Sequence, residues 1–129
     1  MAITMCVGMS PERIRCLYLA ENSNRTILKI GCSRNPLARL VELRRHGHLV
    51  KADMELRFLG FSVGTDRDEL RIVRSARALA KPVYGQEWFP WSEDLKARLM
   101  PTFSLDIETA LRIAEMKRIE EFACARGAA

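Results

Sequence analysis

Tyr18 and Lys29 interrupt two short apolar runs, RIRCLYLA (13–20) and RTILKIG (25–31). Runs rich in Ile, Leu and Tyr are typical of β-strands, and a strand more easily places an apolar residue where this one has a lysine. A phenol beside an ammonium could position or deprotonate a water molecule, because the ammonium lowers the tyrosine pKa from about 10. The other interpretation is a surface face, on which the lysine reaches solvent and the tyrosine packs its ring. The strand pattern by itself favours the surface face.

Glu69 lies on the side of a predicted helix that should face the core. In DRDELRIVRSARALAK (66–81), the apolar residues Val73, Ala76 and Ala80 follow it at i+4, i+7 and i+11. A carboxylate at such a position needs a hydrogen bond, a cation or a metal ion as partner. The alternative is helix capping, because Asp66 and Glu69 have the spacing of a capping box. The two roles are compatible.

Arg39 is the second residue that could act on an anion. It falls in RNPLARLVELRRHG (34–47), a predicted helix with Asn35 as N-cap, Pro36 at the first position and Gly47 as terminator. It lies roughly opposite the apolar stripe of this helix, where a solvated arginine is the default.

The loop length decides whether Tyr18 and Lys29 meet. If the loop is 22–25, rich in turn-forming Asn and Ser, Glu21 pairs with Thr26 and Tyr18 lies opposite Lys29. A change of two residues in the loop would keep the two side chains diagonally on one face. A change of one residue would place them on opposite faces.

The remaining pattern predicts an α+β fold, with a small central antiparallel sheet of about three strands flanked by helices. The third strand is predicted over 54–61 and further helices over 92–100 and 104–125, whereas VYGQEWFPW (83–91) is predicted to be irregular, with Trp88 and Phe89 in the core. We expect a leader at 1–12, one domain at 13–90 and a C-terminal helical extension at 91–129 that packs on it. Dimerisation is the alternative task of the last helix.

Composition restricts the class of protein. The chain has 129 residues and no apolar run near the roughly 20 needed to span a bilayer, so we expect no membrane association. The net charge of +5 suits a polyanionic partner without requiring one. The four cysteines have no metal-ligand spacing, which favours thiols in a reducing cytoplasm over disulfides.

The order of short motifs, LYL, KIG, SRNPLARL, DELRIV and GQEWF, resembles the GIY-YIG nuclease superfamily. It is most similar to the branch of phage and fungal proteins of the T5orf172 and meiotically up-regulated gene 113 type. The match covers about residues 16 to 89. Two departures are Val73, where close relatives often have histidine, and Cys16, where the first motif has glycine.

The resemblance implies an endonuclease that hydrolyses phosphodiester bonds in nucleic acid, with DNA preferred to RNA and one strand cut per active site. Tyr18 matches the tyrosine of the first motif, and Lys29 replaces the tyrosine of the second. Arg39 matches the helical arginine, and Glu69 the glutamate that binds Mg²⁺ or Mn²⁺.

Further basic residues flank these four positions and are candidates for binding backbone phosphates: Arg34, Arg44, Arg45, His46 and Lys51. Singly, each is more often a solvated surface charge. No recognisable DNA-reading module is present, so selectivity must be weak, lie in unrecognised loops or come from a partner protein. The alternative of a different class is a nucleic-acid- or protein-binding module with little or no activity. The joint presence of Tyr18, Lys29, Arg39 and Glu69 argues against it.

Overall fold

The computed structural model describes residues 13–45 and 53–127, and for residues 125–127 it describes the backbone only. Within these residues an antiparallel sheet has the order β3-β1-β2-β4. Its strands are β1 (Arg15–Asn22), β2 (Ile27–Ser33), β3 (Leu56–Gly64) and β4 (Trp88–Pro90). The helices are α1 (Pro36–Arg44), α2 (Asp66–Leu79), α3 (Glu93–Leu99) and α4 (Ile107–Gly127). The predicted α+β class with helices around an antiparallel sheet is confirmed.

Helices cover both faces of the sheet, which explains why β1 is apolar on both sides. Tyr18 and its face neighbours Cys16 and Ala20 pack in one cluster with residues of α1 and α4. Leu17 and Leu19 point the other way, because side chains alternate along a strand, and they pack with residues of α2 and α3. The side chains of β1 therefore contribute to two hydrophobic cores, one on each face of the sheet.

The β1–β2 loop has the predicted four residues but begins one residue later, at 23–26 instead of 22–25. Glu21 therefore pairs with Leu28 instead of Thr26, and Tyr18 lies opposite Gly31 instead of Lys29. The side chain of Asn22 holds the loop in this position, because its Oδ1 accepts hydrogen bonds from the backbone N–H of Thr26 at 2.8 Å and of Ile27 at 3.0 Å. The register change is even, so Tyr18 and Lys29 share one face and are offset by two residues along the strands.

β4 is a correction to the predicted irregular segment. It pairs with Ile27–Lys29 of β2, and Trp88 and Phe89 are buried, as predicted. A strand of three residues is too short to show a period in the sequence. Its pairing ends at Lys29, so the part of β2 from Gly31 onward is not covered by β4.

The N-terminus of α2 is capped by Thr65 and Asp68, not by Asp66 and Glu69 as the capping alternative proposed. Asp68 Oδ2 accepts hydrogen bonds from the backbone N–H of Thr65 at 2.8 Å and from its hydroxyl at 3.2 Å. Gly64 leaves room for this carboxylate, since a Cβ there would lie 2.5 Å from Asp68 Oδ2. Glu69 is therefore not used in the cap.

A fully buried carboxylate, Glu21, joins three elements at the hairpin end of the sheet. It accepts hydrogen bonds from Arg57 Nε at 2.8 Å, Trp91 Nε1 at 2.9 Å and Lys96 Nζ at 3.4 Å. Burial alone would raise the pKa of Glu21, but the hydrogen bonds from Trp91 and Arg57 and the charge of Lys96 outweigh it and lower that pKa. These partners satisfy Glu21, which makes it a structural charge.

The C-terminal helix packs on the sheet through Ala110 and Ala114, while Met116, Ile119 and Phe122 remain exposed. No helix among the described residues is long and apolar enough to cross a membrane. Cys16 and Cys32 are free, as expected. The thiol expectation is wrong for Cys124, which is disulfide-bonded, because spacing in a sequence does not show which cysteines a fold brings together.

The cap of α2 gives the first prediction. We expect Asp68→Ala to lower the free energy of unfolding by about 1 kcal/mol, because it removes the capping hydrogen bonds to Thr65. Asp66→Ala is the matched control: it removes the same charge from the same exposed first turn and should cost only a few tenths of that. Urea denaturation followed by circular dichroism measures both. Equal losses in the two variants would contradict the assigned cap.

Candidate active site

Tyr18 lies across the neighbouring strand. A Cβ added to Gly31 would stand 2.3 Å from both Cζ and the hydroxyl oxygen of Tyr18, so the ring occupies the space that a side chain at 31 would need. Phe58 packs edge-on against the ring, with centroids 5.3 Å apart. The phenol is thereby held over β2, beyond the point where β4 stops pairing.

Arg39 of α1 lies near enough to the Tyr18 hydroxyl for its positive charge and its N–H groups to lower the pKa of the phenol. Burial raises the pKa of Tyr18 above its ordinary value of 10, and Arg39 only partly opposes that rise. The expected lowering of this pKa by Lys29 is therefore wrong for the free protein. Arg39 also donates to Glu42 Oε1 at 2.7 Å, so it is not the freely solvated arginine that its helical position suggested.

Lys29 is only 3% exposed, and its ammonium forms an ion pair with Glu87. Its Nζ also lies 5.0 Å from the ring centroid of Trp88, within the range of a cation–π contact. The surface-face interpretation of Lys29 is therefore wrong. The charge inside the strand is compensated by the segment that forms β4.

Glu69 is half-buried on α2, on the same side of the helix as the buried residues Val73 and Ala76, as predicted. Burial raises the pKa of Glu69, and the negative charge of Glu87 raises it further, while a hydrogen bond from Cys32 and the charge of Lys29 oppose the rise. The Cys32 thiol is the donor of that bond, because burial and Glu69 raise its own pKa to about 12.

Glu87 is a site residue that the sequence analysis missed. Its backbone carbonyl accepts a hydrogen bond from the N–H of Ile30 at 3.0 Å, which anchors it at the edge of β2. Its side chain is paired with Lys29, and its charge acts on both Tyr18 and Glu69. The sequence does contain an indication of it, because in GQEWF a carboxylate directly precedes two aromatic residues of the core.

The structure thus brings the four predicted residues together around the part of β2 that β4 leaves uncovered. The charges of Arg39 and Glu69 both shift the pKa of Tyr18. The charge of Lys29 shifts the pKa of Glu69, and its ammonium pairs with Glu87. Four elements and the turn before β4 supply these groups. Two cations, two carboxylates and a phenol in one place form a constellation suited to a phosphate and a divalent cation.

The structure gives the predicted phosphate-binding residues no hydrogen bond or ion pair with Tyr18, Lys29, Arg39 or Glu69 among the described residues. Arg34, Arg44 and Arg45 are exposed, and Arg44 lies 3.9 Å from Glu55. His46 and Lys51 lie outside the described residues.

Glu69 and Glu87 fit the modest ligand requirement of magnesium. The described residues contain no group of three or more His, Cys, Asp or Glu side chains that could hold a metal ion. Mg²⁺ is commonly bound by one or two carboxylates, with water and substrate phosphates completing its shell. Burial is the main cause of the raised pKa of Glu69, and the negative charge of Glu87 adds to it, a repulsion that a bound cation would relieve.

No protein-family model, no curated protein and no solved structure matches this chain at a significant level.

The contact between Tyr18 and Gly31 gives the second prediction. Gly31→Ala should lower the free energy of unfolding by about 1–3 kcal/mol, because the new methyl group overlaps the phenol. It should also lower the pKa of Tyr18 towards 10 as the ring is displaced into solvent. The second tyrosine, Tyr84, is removed with Tyr84→Phe, so that phenolate absorbance in an alkaline titration reports Tyr18 alone.

Tyr84→Phe with glycine retained is the control for this titration. Its remaining tyrosine should ionise above the ordinary pKa of 10. If Gly31→Ala changes neither the stability nor the titration, the ring does not lie over β2 in solution.

Proposed function

We propose that this protein is a metal-dependent endonuclease that hydrolyses phosphodiester bonds in nucleic acid, with DNA preferred to RNA and one strand cut per site. The observation that carries the proposal is the cluster of Tyr18, Lys29, Arg39 and Glu69 at the uncovered part of β2. The order of motifs that contain these residues resembles the GIY-YIG superfamily and also supports it.

Arg39 and Lys29 are the groups that would bind the scissile phosphate. The guanidinium can present two N–H donors to non-bridging oxygens, and both cations offset the charge that grows in the transition state. Lys29 is paired with Glu87 in the free protein, so a phosphate must compete with that carboxylate for the ammonium. Binding therefore requires an exchange of partners at Lys29.

Tyr18 would hold the attacking water through its hydroxyl. Because its pKa is raised, Tyr18 is protonated near neutral pH and acts there as a positioning group. It can accept the proton of the water only in a state that favours the phenolate, and Arg39 is the neighbouring group that does so. As the water oxygen bonds to phosphorus, the bond from phosphorus to the leaving sugar oxygen breaks.

Glu69 would hold Mg²⁺ or Mn²⁺ in its ionised form. Such an ion, when bound, neutralises charge on the phosphate and on the leaving oxygen. Cys32 orients the carboxylate by donating its thiol hydrogen, and its high pKa keeps that hydrogen in place.

The rival function is a binding module that keeps the fold without activity. The pairing of Lys29 with Glu87 and the raised pKa of Tyr18 favour this rival, because they leave two of the catalytic groups in an inactive form. Cleavage that depends on Glu69 distinguishes the two functions.

The third prediction tests this dependence. Wild-type protein with Mg²⁺ or Mn²⁺ should cleave nucleic acid, and a chelator should abolish cleavage. Supercoiled plasmid, single-stranded DNA and structured RNA are compared as substrates. Glu69→Gln should lower the rate about 100-fold or more, because it removes the charged metal ligand. Glu93→Gln, the same change at an exposed acid in the first turn of α3, is the matched control and should cleave like the wild type.

Two outcomes contradict the proposed function. Wild-type rates in Glu69→Gln would show that another protein or another site cleaves. A wild type that binds these substrates but cleaves none of them with either metal would establish the rival binding module.

The fourth prediction concerns pH. The reaction needs ionised Glu69, so activity should fall as pH decreases through the raised pKa of this carboxyl. Glu87→Gln removes a negative charge that raises this pKa, so the acid limb of the cleavage profile should move to lower pH. Glu93→Gln is the control, since Glu93 is an exposed acid on α3 and is not among the charges that shift the pKa of Glu69. An unchanged acid limb in Glu87→Gln would remove Glu87 from the site.

A further inference from the structure

The outward side of α2 carries a row of arginines that the proposed active site does not use. Arg67, Arg71, Arg74 and Arg77 occur at i, i+4, i+7 and i+10. At about 100° per residue, Arg67, Arg71 and Arg74 fall within about 60° of one another, away from the buried Val73 and Ala76, and Arg77 lies at the edge of this side, nearer to Val73. All four side chains are exposed. We call these four residues the α2 arginine row.

The charges of this row are only partly compensated. Arg71 lies 3.5 Å from Asp68, and Arg77 donates to Gln86 at 3.3 Å. Within the part of the chain that the structure describes, Arg67 and Arg74 have no ion pair. These two arginines are available to an anion.

The row also borders a concave surface. An open cleft of about 560 Å³ is lined, among the described residues, by Arg67, Leu70, Arg71, Arg74 and Ser75. Three arginine side chains of the row therefore line one depression, together with Leu70 and Ser75.

We propose that the α2 arginine row binds the phosphate backbone of a nucleic-acid duplex. At 1.5 Å per residue, Arg67 to Arg77 spans roughly 15 Å of helix axis. A duplex carries a phosphate about every 3.4 Å of axis on each strand, so a row of this length can reach more than one backbone phosphate. The planar guanidinium is well suited to phosphate. The choice of partner rests on the proposed function.

The row and Glu69 lie on different sides of α2. Glu69 is two residues from Arg67, or roughly 200° around the helix, and it faces the sheet edge. A phosphate at the row is therefore not the scissile phosphate. The protein would contact nucleic acid at two surfaces, and a short oligonucleotide would reach only one of them.

The test compares two double variants with the same net charge. Arg67→Ala with Arg74→Ala removes the uncompensated part of the row. Arg112→Ala with Lys117→Ala removes two exposed cations from α4 and is the matched control. Binding of a fluorescent DNA duplex of about 20 base pairs is measured by anisotropy in chelator, where no metal supports cleavage, over a series of salt concentrations. Thermal unfolding checks that both variants are folded.

We expect the row variant to bind about tenfold more weakly than the wild type. The slope of log affinity against log salt should become shallower by about 2, one unit for each lost phosphate contact. The control should change little in both quantities. Equal changes in the two variants would overturn the assignment, because they would show a response to net charge alone.

Polyglutamate serves as an acidic polypeptide probe. If the wild type binds it as tightly as the duplex and the row variant loses both equally, the row is a surface for acidic proteins and the proposal is overturned. The results also separate this inference from the proposed nuclease function. If the wild type does not cleave but its binding to the duplex depends on the row, the nuclease proposal fails and this inference stands. If cleavage depends on Glu69 but both double variants bind the duplex equally, only this inference fails.

Discussion

The burial of one ammonium inside a strand is the constraint on which the sheet edge depends. A charged group removed from water needs a partner, and Lys29 has an ion pair with Glu87 and the face of Trp88. Both partners come from the chain around β4, so the short strand is held to β2 by a charge as well as by backbone hydrogen bonds. Its end at Lys29 leaves the next part of β2 free for Tyr18 to cover.

The same arrangement leaves the candidate catalytic groups compensated in the free protein. Lys29 is neutralised by a carboxylate, Tyr18 keeps its proton, and the pKa of Glu69 is raised by burial and by Glu87. Each of these conditions is relieved by the same pair of ligands, a phosphate for the cations and a divalent metal for the carboxylates. A site of this kind is completed by its substrate.

The periodicity of the sequence predicted the helices and the three longer strands. Each helix packs one side on a face of the sheet, so its apolar residues recur at a regular spacing. Asn35 caps α1 as expected, accepting from the N–H of Ala38 at 3.3 Å. The misses concern the choice between alternatives that the sequence offers side by side. The amide of Asn22 moved the hairpin loop by one residue, the spacing of Thr65 and Asp68 competed with that of Asp66 and Glu69 for the cap, and the side chain of Glu87 pairs with Lys29. The order of motifs predicted the four site residues. Their partners, such as Glu87, are seen only in the structure.

The contact between Tyr18 and Gly31 has a consequence for comparing this chain with others. The ring fills the volume above the glycine, so neither residue can be replaced freely while the other is kept. A related chain that has exchanged the tyrosine for a small residue no longer needs glycine at the facing position. Retention of the tyrosine–glycine pair across two strands is thus a sharper marker of an intact site than either short motif alone, and loss of both together marks a chain that keeps the sheet for another purpose.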